Sequence, residues 1–134
     1  MTGEKLDFRQ IVSYWTEEAE EALTVAEHLY EKGDYSYSLF FGHLAIEKML
    51  KGVYVQRKQE HAPPIHNLVR LVQLAGIKPD EGRVEKLALI SSFNIEARYP
   101  DLQRTFRKKC TQEFASESMA TTKETLQWLK AMKM

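Results

Sequence analysis

The stretch from Asp34 to Arg57, DYSYSLFFGHLAIEKMLKGVYVQR, predicts a long helix with apolar residues on nearly every side. Its apolar residues form two stripes, one made of Leu39, Ile46, Met49, Leu50 and Val53 and the other of Phe40, Leu44 and Val55. A helix that is apolar all round is usually buried on more than one side. The rest of the chain must therefore pack around this central helix.

The length of 134 residues predicts a single domain spanning residues 1–134, large enough for a hydrophobic core. Lysine plus arginine equals aspartate plus glutamate at 19 each, which argues against a surface that coats nucleic acid generally. No apolar run approaches the roughly 20 residues of a membrane span, and the N-terminus lacks the apolar core of a signal peptide. Cys110 is the single cysteine, so we expect a reduced, cytoplasmic protein.

Apolar residues at three- and four-residue steps predict helices on both sides of the central one. The first runs from about Asp7 to Glu31 and is followed by a short turn at Gly33 and Asp34. The later helices are predicted from about Asn67 to Ala75, from Lys78-Pro79-Asp80 to about Ile95, and from near Thr111 onward. The inner surface of the fourth helix is assigned to Val84, Leu87, Ala88, Ile90 and Ser91. The segment from Leu102 to Lys109 is predicted to be an exposed loop or a helical turn.

The chain has no sustained alternation of polar and apolar residues and no Asn-Gly hairpin signal, so no strand is predicted. Short connections between helices make consecutive helices antiparallel neighbours. The predicted fold class is therefore all-α, as an antiparallel up-and-down bundle of four or five helices.

One polar edge runs along the central helix, where His43, Glu47 and Lys51 are spaced by four and Lys48 lies beside them. If this edge is exposed, the pair between Glu47 and Lys51 is worth only about 0.3–0.5 kcal/mol. If it is buried, the carboxylate needs a cation, because an unpaired buried charge is expensive. Structural and functional roles both stay open. We predict that Glu47 is at least half buried and paired with Lys51, His66 or Arg98, the last of these being favoured.

The sequence Arg98-Tyr99-Pro100-Asp101 marks the end of a helix, since Pro100 disfavours helical geometry at Tyr99. An arginine at such an end can bind phosphate or carboxylate through two hydrogen bonds. The structural alternative is that Arg98 holds the helix end by pairing with Glu47 or Glu96. The ligand-binding candidates are thus Glu47, Lys48, Lys51, His66, Arg98, Tyr99 and Asp101. The following basic patch is either a solvated face or a surface for RNA phosphates or an acidic partner: Arg104, Arg107, Lys108 and Lys109.

The histidines and the cysteine lack the spacing of a metal or catalytic site. No His-x-x-x-His pair occurs, Cys110 has no partner at zinc spacing, and no phosphate-binding loop or nucleophile elbow is present. We therefore predict no catalytic residue, no metal and no cofactor. His43 is interpreted as a core or interface histidine with one hydrogen-bond partner, and His66 as a residue that caps or orients the third helix.

Three ordered segments resemble the HEPN family, whose name stands for higher eukaryotes and prokaryotes nucleotide-binding. They are FGHLAIEKMLK at 41–51, PIHNLVRL at 64–71 and FNIEARYPD at 93–101, within a resemblance that extends from Trp15 to Leu129. The resemblance implies a helical bundle that is commonly dimeric and often encoded beside a minimal nucleotidyltransferase, several such pairs being toxin–antitoxin systems. It therefore implies a homodimer, a nucleotidyltransferase partner and a nucleotide or RNA ligand, with no membrane.

Many HEPN proteins are metal-independent ribonucleases that carry an Arg-x4–6-His motif. Here the positions where that histidine would follow Arg98 hold Gln103, Arg104 and Thr105. The prediction therefore leans away from an enzyme, and we expect no cleavage of bulk RNA by the pure protein. A ribonuclease with a non-standard site and a ligand-free dimerisation scaffold are the alternatives.

The central helix has more apolar surface than its neighbours can easily cover. We expect an exposed apolar patch around Phe40, Leu44 and Lys48 or on the adjacent fourth helix, and large patches of this kind usually mark an interface. A closed two-fold dimer would bring two copies of the Arg98 region towards one shared cleft. The alternative is a monomer in which the last helix wraps further round.

Overall fold

The computed structural model describes residues 7–132, and within them it contains six helices and no strand. In chain order the helices are α1 (Phe8–Glu31), α2 (Tyr35–Lys58), α3 (Leu68–Leu74), α4 (Glu81–Arg98), α5 (Pro100–Lys109) and α6 (Gln112–Met132). This confirms the predicted all-α bundle. No helix in this part of the chain is both long and apolar enough to cross a membrane.

Helix α2 lies at the centre of the bundle and contacts all five other helices. Two glycines on α2 allow close approach of α6 and α1. A Cβ atom added at Gly42 would lie 3.2 Å from Thr122 of α6, and one at Gly52 would lie 3.3 Å from Trp15 of α1. The buried residues of α2 extend from Ser38 to Val55, which confirms that this helix is covered on several sides.

Local capping explains where several helices begin. The side chains of Asp7, Asn67 and Asp80 accept hydrogen bonds from backbone N–H groups in the first turns of α1, α3 and α4. Each of these bonds satisfies a donor that the helix itself cannot pair. Gly33 adopts a φ of +84° between α1 and α2, a conformation that residues with a Cβ rarely reach. The predicted turn at this position is therefore confirmed.

The backbone is extended at Tyr99, as predicted, but the structure corrects the prediction for the segments on either side of it. Helix α4 continues to Arg98 rather than ending near Ile95, and the segment expected to be a loop or a helical turn forms α5. Pro100 occupies the first turn of α5, where its missing N–H has no helical partner to lose. The proline therefore separates two helices. Helix α5 is held by Phe106, which is buried with its ring 6.0 Å from that of Phe93.

The inner face of α4 also differs from the prediction at two positions, Ala88 and Phe93. Leu87, Ile90 and Phe93 are fully buried and recur every three residues, whereas Ala88 is exposed. Adjacent helical residues point about 100° apart, so a narrow buried stripe that contains Leu87 excludes Ala88. Phe93, which the sequence pattern did not single out, is the largest buried side chain of α4.

Candidate functional site

Glu47 lies in the interior of α2 with only 5% of its surface exposed. Its carboxylate accepts a hydrogen bond from Lys51 Nζ at 3.0 Å, and His66 Nδ1 lies 3.1 and 3.2 Å from its two oxygens. The predicted burial and pairing of Glu47 are therefore confirmed. The favoured partner was wrong, because this carboxylate pairs with Lys51 of α2 and contacts His66 of the α2–α3 connection rather than Arg98.

His43 lies one turn before Glu47 and is fully buried. Its Nε2–H donates to the backbone carbonyl of His66 at 3.1 Å, while its Nδ1 has no hydrogen-bond partner within residues 7–132. Burial lowers the pKa of His43, although the bond to the His66 carbonyl and the charge of Glu47 oppose the shift. The interpretation of His43 as a core histidine with one partner is confirmed, and this imidazole is neutral at pH 7.

His66 lies on the connection between α2 and α3, with its side chain 53% exposed. Glu47 binds its ring and His43 binds its carbonyl, so one loop residue is held at two points by α2. The capping role assigned to His66 belongs to its neighbour Asn67, which accepts from the N–H of Arg70 at 3.1 Å. The cluster of His43, Glu47, Lys51 and His66 therefore anchors the α2–α3 connection to the core.

The buried state of His43 predicts a pH dependence of stability. Because the folded-state pKa of His43 lies below the value of about 6.5 in an unfolded chain, the unfolded chain takes up the proton first. This contribution is complete above about pH 6.5 and is lost as the pH falls towards the folded-state pKa. Between about pH 7.5 and 5.5, we expect urea unfolding to show a larger loss of stability for wild type than for His43→Gln, by up to about 1.4 kcal/mol per pH unit. Parallel pH profiles would contradict this assignment.

A separate cleft of about 410 Å³ opens between the first half of α2 and the junction of α4 with α5. Its lining combines three aromatic rings with one cation and one amide: Tyr37, Phe40, Phe41, Ala97, Arg98 and Gln103. The volume lies within the range of roughly 300–1,000 Å³ that is typical of small-molecule sites. Arg98 is exposed and pairs with no carboxylate in the described part of the chain, so its guanidinium is available to a ligand.

The predicted ligand-binding residues therefore fall into two groups. Glu47, Lys51 and His66 meet in the anchoring cluster, whereas Arg98 lines the cleft. Tyr99 and Asp101 are exposed next to Arg98, but neither is among the lining residues of the cleft. Lys48 belongs to neither group, because its ammonium lies 2.8 Å from the carboxylate of Glu18 on α1.

The basic patch lies on α5 and is exposed at all four positions: Arg104, Arg107, Lys108 and Lys109. Lys109 lies over the ring of Phe114 at 5.2 Å, and Arg107 lines a second groove of about 320 Å³ beside the α1–α2 turn. Cys110, at the end of α5, is buried, and burial raises the pKa of its thiol to about 11. The thiol is therefore protonated and inert at neutral pH. Among the described residues, no group of three or more histidine, cysteine or carboxylate side chains could hold a metal.

Comparison with known proteins identifies a matching protein family and a similar solved structure. The HEPN domain model matches residues 12–132 of the chain. The chain belongs to the HEPN domain family. The structure is also similar to the crystal structure of TT1696 from Thermus thermophilus, with a TM-score of 0.77 and 22% sequence identity over 90% of this chain and 97% of that chain. At that identity the likeness shows a shared fold. No curated protein matches the chain.

Two features of this HEPN-domain protein's cleft were not predicted. Gln103 was considered only as a position that lacks histidine, and the side chains of Tyr37 and Phe41 were not assigned to a site. The three aromatic residues lie within one turn of α2, so their clustering could have been noticed in the sequence. Their meeting with Arg98 depends on how α4 and α5 pack against α2.

Proposed function

We propose that this HEPN-domain protein is a cytoplasmic nucleotide-binding module that works with a minimal nucleotidyltransferase, in a pair of the toxin–antitoxin kind. The observation that carries the nucleotide-binding part is the cleft in which the unpaired cation of Arg98 lies beside three aromatic rings. The partner and the pairing follow from the resemblance to stand-alone HEPN proteins of this kind.

The cleft supplies both interactions that a nucleotide requires. Aromatic rings such as those of Tyr37, Phe40 and Phe41 stack on a base, which contributes about 1–3 kcal/mol per base. The guanidinium of Arg98 presents paired N–H donors that match the oxygens of a phosphate. Because no carboxylate of the described chain occupies Arg98, a phosphate displaces only water.

Gln103 favours binding over RNA cleavage. It stands five residues after Arg98, at the first of the positions where the HEPN ribonuclease motif has its histidine, and it lines the same cleft. An amide does not take up or release a proton near pH 7, so the general acid–base contribution of about 10²–10⁴-fold is absent. The cleft therefore keeps a hydrogen-bonding group where a ribonuclease needs a titrating one.

The binding test compares Arg98→Ala with Arg57→Ala, since Arg57 is likewise an exposed arginine and lies at the far end of α2. By calorimetry at fixed salt, we expect Arg98→Ala to weaken binding of AMP by roughly 10- to 100-fold, the effect of losing a charged hydrogen-bonding partner. Arg57→Ala should bind like wild type. If the wild-type protein binds no nucleotide at millimolar concentration, nucleotide binding is excluded and the ligand-free dimerisation scaffold is supported instead. RNA cleavage that disappears in Arg98→Ala would support the ribonuclease alternative.

The partner part has its own test. Tagged protein expressed in its native host is purified, and the proteins that co-purify are identified by mass spectrometry. Recovery of a minimal nucleotidyltransferase, in amounts comparable to the tagged chain, would support the pairing. Recovery of the tagged chain alone would contradict it.

We also propose a homodimer, which the apolar surface around the cleft supports. Phe40 and Leu44 of α2 are only partly buried, and Ile95, Tyr99 and Leu102 are 49%, 59% and 40% exposed. A patch of this kind on one copy favours a closed contact with a second copy. Ile95, Tyr99 and Leu102 flank Arg98 in sequence and Phe40 lines the same cleft, so such a contact would place two Arg98 side chains near one interface.

Light scattering at micromolar concentration tests the dimer. We expect wild type to show twice the chain mass of 15.6 kDa. Leu102→Asp should shift the mass towards the monomer, because it places a charge in the apolar contact. Tyr14→Asp is the matched control, since Tyr14 is 55% exposed on α1, away from the patch, and should leave the mass unchanged. A monomeric wild type would rule the proposal out.

A further inference from the structure

The side chain of Gln103 is held in one orientation by the end of α4. Its Nε2 donates to the carbonyl of Ala97 at 2.9 Å and makes a longer contact with the carbonyl of Arg98 at 3.4 Å. The last carbonyls of a helix have no partner within that helix, so an amide N–H₂ group satisfies them well. The amide N–H₂ group of Gln103 is therefore occupied by hydrogen bonds to the carbonyls of α4.

The amide oxygen of Gln103 is left free by this arrangement. Oε1 makes no hydrogen bond within residues 7–132 and stays open to solvent at a residue that lines the cleft. A carbonyl oxygen accepts hydrogen bonds and cannot donate one. Because Nε2 is already bonded to two backbone carbonyls, turning the amide over would bring Oε1 against those carbonyls. Gln103 thus presents its Oε1 to a ligand as a hydrogen-bond acceptor that cannot exchange places with the amide nitrogen.

We propose that Gln103 makes the cleft selective for nucleotides of adenine and cytosine over those of hypoxanthine and uracil. Adenine and cytosine present an N–H₂ donor at the position where hypoxanthine and uracil present a carbonyl oxygen. The amino group can donate to Gln103 Oε1, whereas a carbonyl oxygen there faces another acceptor. This inference rests on the proposed nucleotide binding and adds the class of base to it.

The arrangement of the cleft suits this role. The aromatic rings of Tyr37, Phe40 and Phe41 belong to α2, whereas Gln103 belongs to α5. A base stacked on α2 therefore presents its edge towards other walls, one of which carries Gln103. Arg98 follows at the end of α4, where it can take the phosphate. Stacking, edge recognition and phosphate binding thus come from three different helices.

The test compares AMP with IMP and CMP with UMP; in each pair the second base has a carbonyl oxygen in place of the amino group and a hydrogen on the adjacent ring nitrogen. Affinities are measured by calorimetry on the full chain at fixed salt. We expect wild type to bind AMP about 5- to 10-fold more tightly than IMP, and CMP more tightly than UMP by a similar factor, which is the effect of one hydrogen bond.

Two variants separate base recognition from capping of α4. Gln103→Lys retains a donor for the α4 carbonyls but has no acceptor, and Gln103→Met has neither group. Both should lose the preference for the amino base, even if the added charge of the lysine tightens binding of every nucleotide. Gln73→Lys, at an exposed glutamine on α3, adds the same charge outside the cleft and should keep the preference.

The outcomes distinguish this inference from the function on which it rests. Equal binding of AMP and IMP by wild type, with affinity still lost in Arg98→Ala, would overturn the role of Gln103 and leave nucleotide binding intact. A preference that survives in both Gln103→Lys and Gln103→Met would also overturn it. Absence of binding by wild type to all four nucleotides would overturn the proposed function, and this inference with it.

Discussion

Replacing Glu47 by alanine is expected to lower the free energy of unfolding by about 3–5 kcal/mol, the usual cost of removing one partner from a buried ion pair. Glu47 is 5% exposed and accepts from Lys51 at 3.0 Å and from His66 at 3.1 Å. Without the carboxylate, the ammonium of Lys51 is left in the core beside the ring of Trp15, where water cannot reach it freely. The α2–α3 connection also loses its bond to the His66 ring.

Two further variants test whether the unpaired charge causes this loss. Combining Glu47→Ala with Lys51→Met removes both charges, so we expect the double variant to recover part of the stability that Glu47→Ala loses. Glu17→Ala, at an exposed position of α1, should change stability by no more than about 0.5 kcal/mol. All three are measured by urea unfolding at pH 7. If Glu47→Ala and Glu17→Ala unfold alike, the buried pair does not stabilise the fold.

Replacing Phe93 by alanine should lower the free energy of unfolding by about 3–5 kcal/mol, the range for removing a buried aromatic ring. The ring of Phe93 is fully buried, 6.0 Å from the ring of Phe106 on α5 and 6.3 Å from that of Phe114 on α6. A single side chain of α4 therefore joins three helices. Removing it leaves a cavity that the surrounding helices can close only in part.

The control for Phe93 lies two residues further along the same helix. Ile95 is 49% exposed, so Ile95→Ala removes little buried surface and introduces a better helix former. We expect a change within about 0.5 kcal/mol in the same urea unfolding measurement. A loss for Phe93→Ala no larger than that for Ile95→Ala would show that the three aromatic rings do not hold α5 and α6 against α4.

Features that depend on neighbouring residues were predictable from the sequence. The long apolar α2, the turn at Gly33 and the approximate extent of α1, α3 and α6 all appear as expected. The burial of Glu47 beside Lys51 was also predicted, because a spacing of four places both side chains on one edge of α2. These properties depend on helix periodicity and on caps that act within a few residues.

Helix α5 was less predictable because its stability depends on contacts outside it. The segment is rich in arginine and lysine, and only Phe106 is buried within it. A ten-residue helix is marginal without tertiary packing. The local sequence pattern did not distinguish a loop from a helical turn in this segment. The contact of Phe106 with Phe93 of α4 therefore stabilises α5 as a helix.

The sequence by itself determined a helical bundle organised around α2 and the charged edge along that helix. It also indicated the HEPN family through three ordered segments. Each of these results depends on residue type and local spacing. Only the tertiary structure decided which residues of different segments meet. It brought His66 to Glu47, and it placed Arg98 with Gln103 in a separate cleft. Arg98 and Glu47 belong to different helices, and helix periodicity does not specify how two helices are rotated and shifted against each other. That relative placement comes from packing of the core, which the sequence pattern describes only as a set of apolar faces.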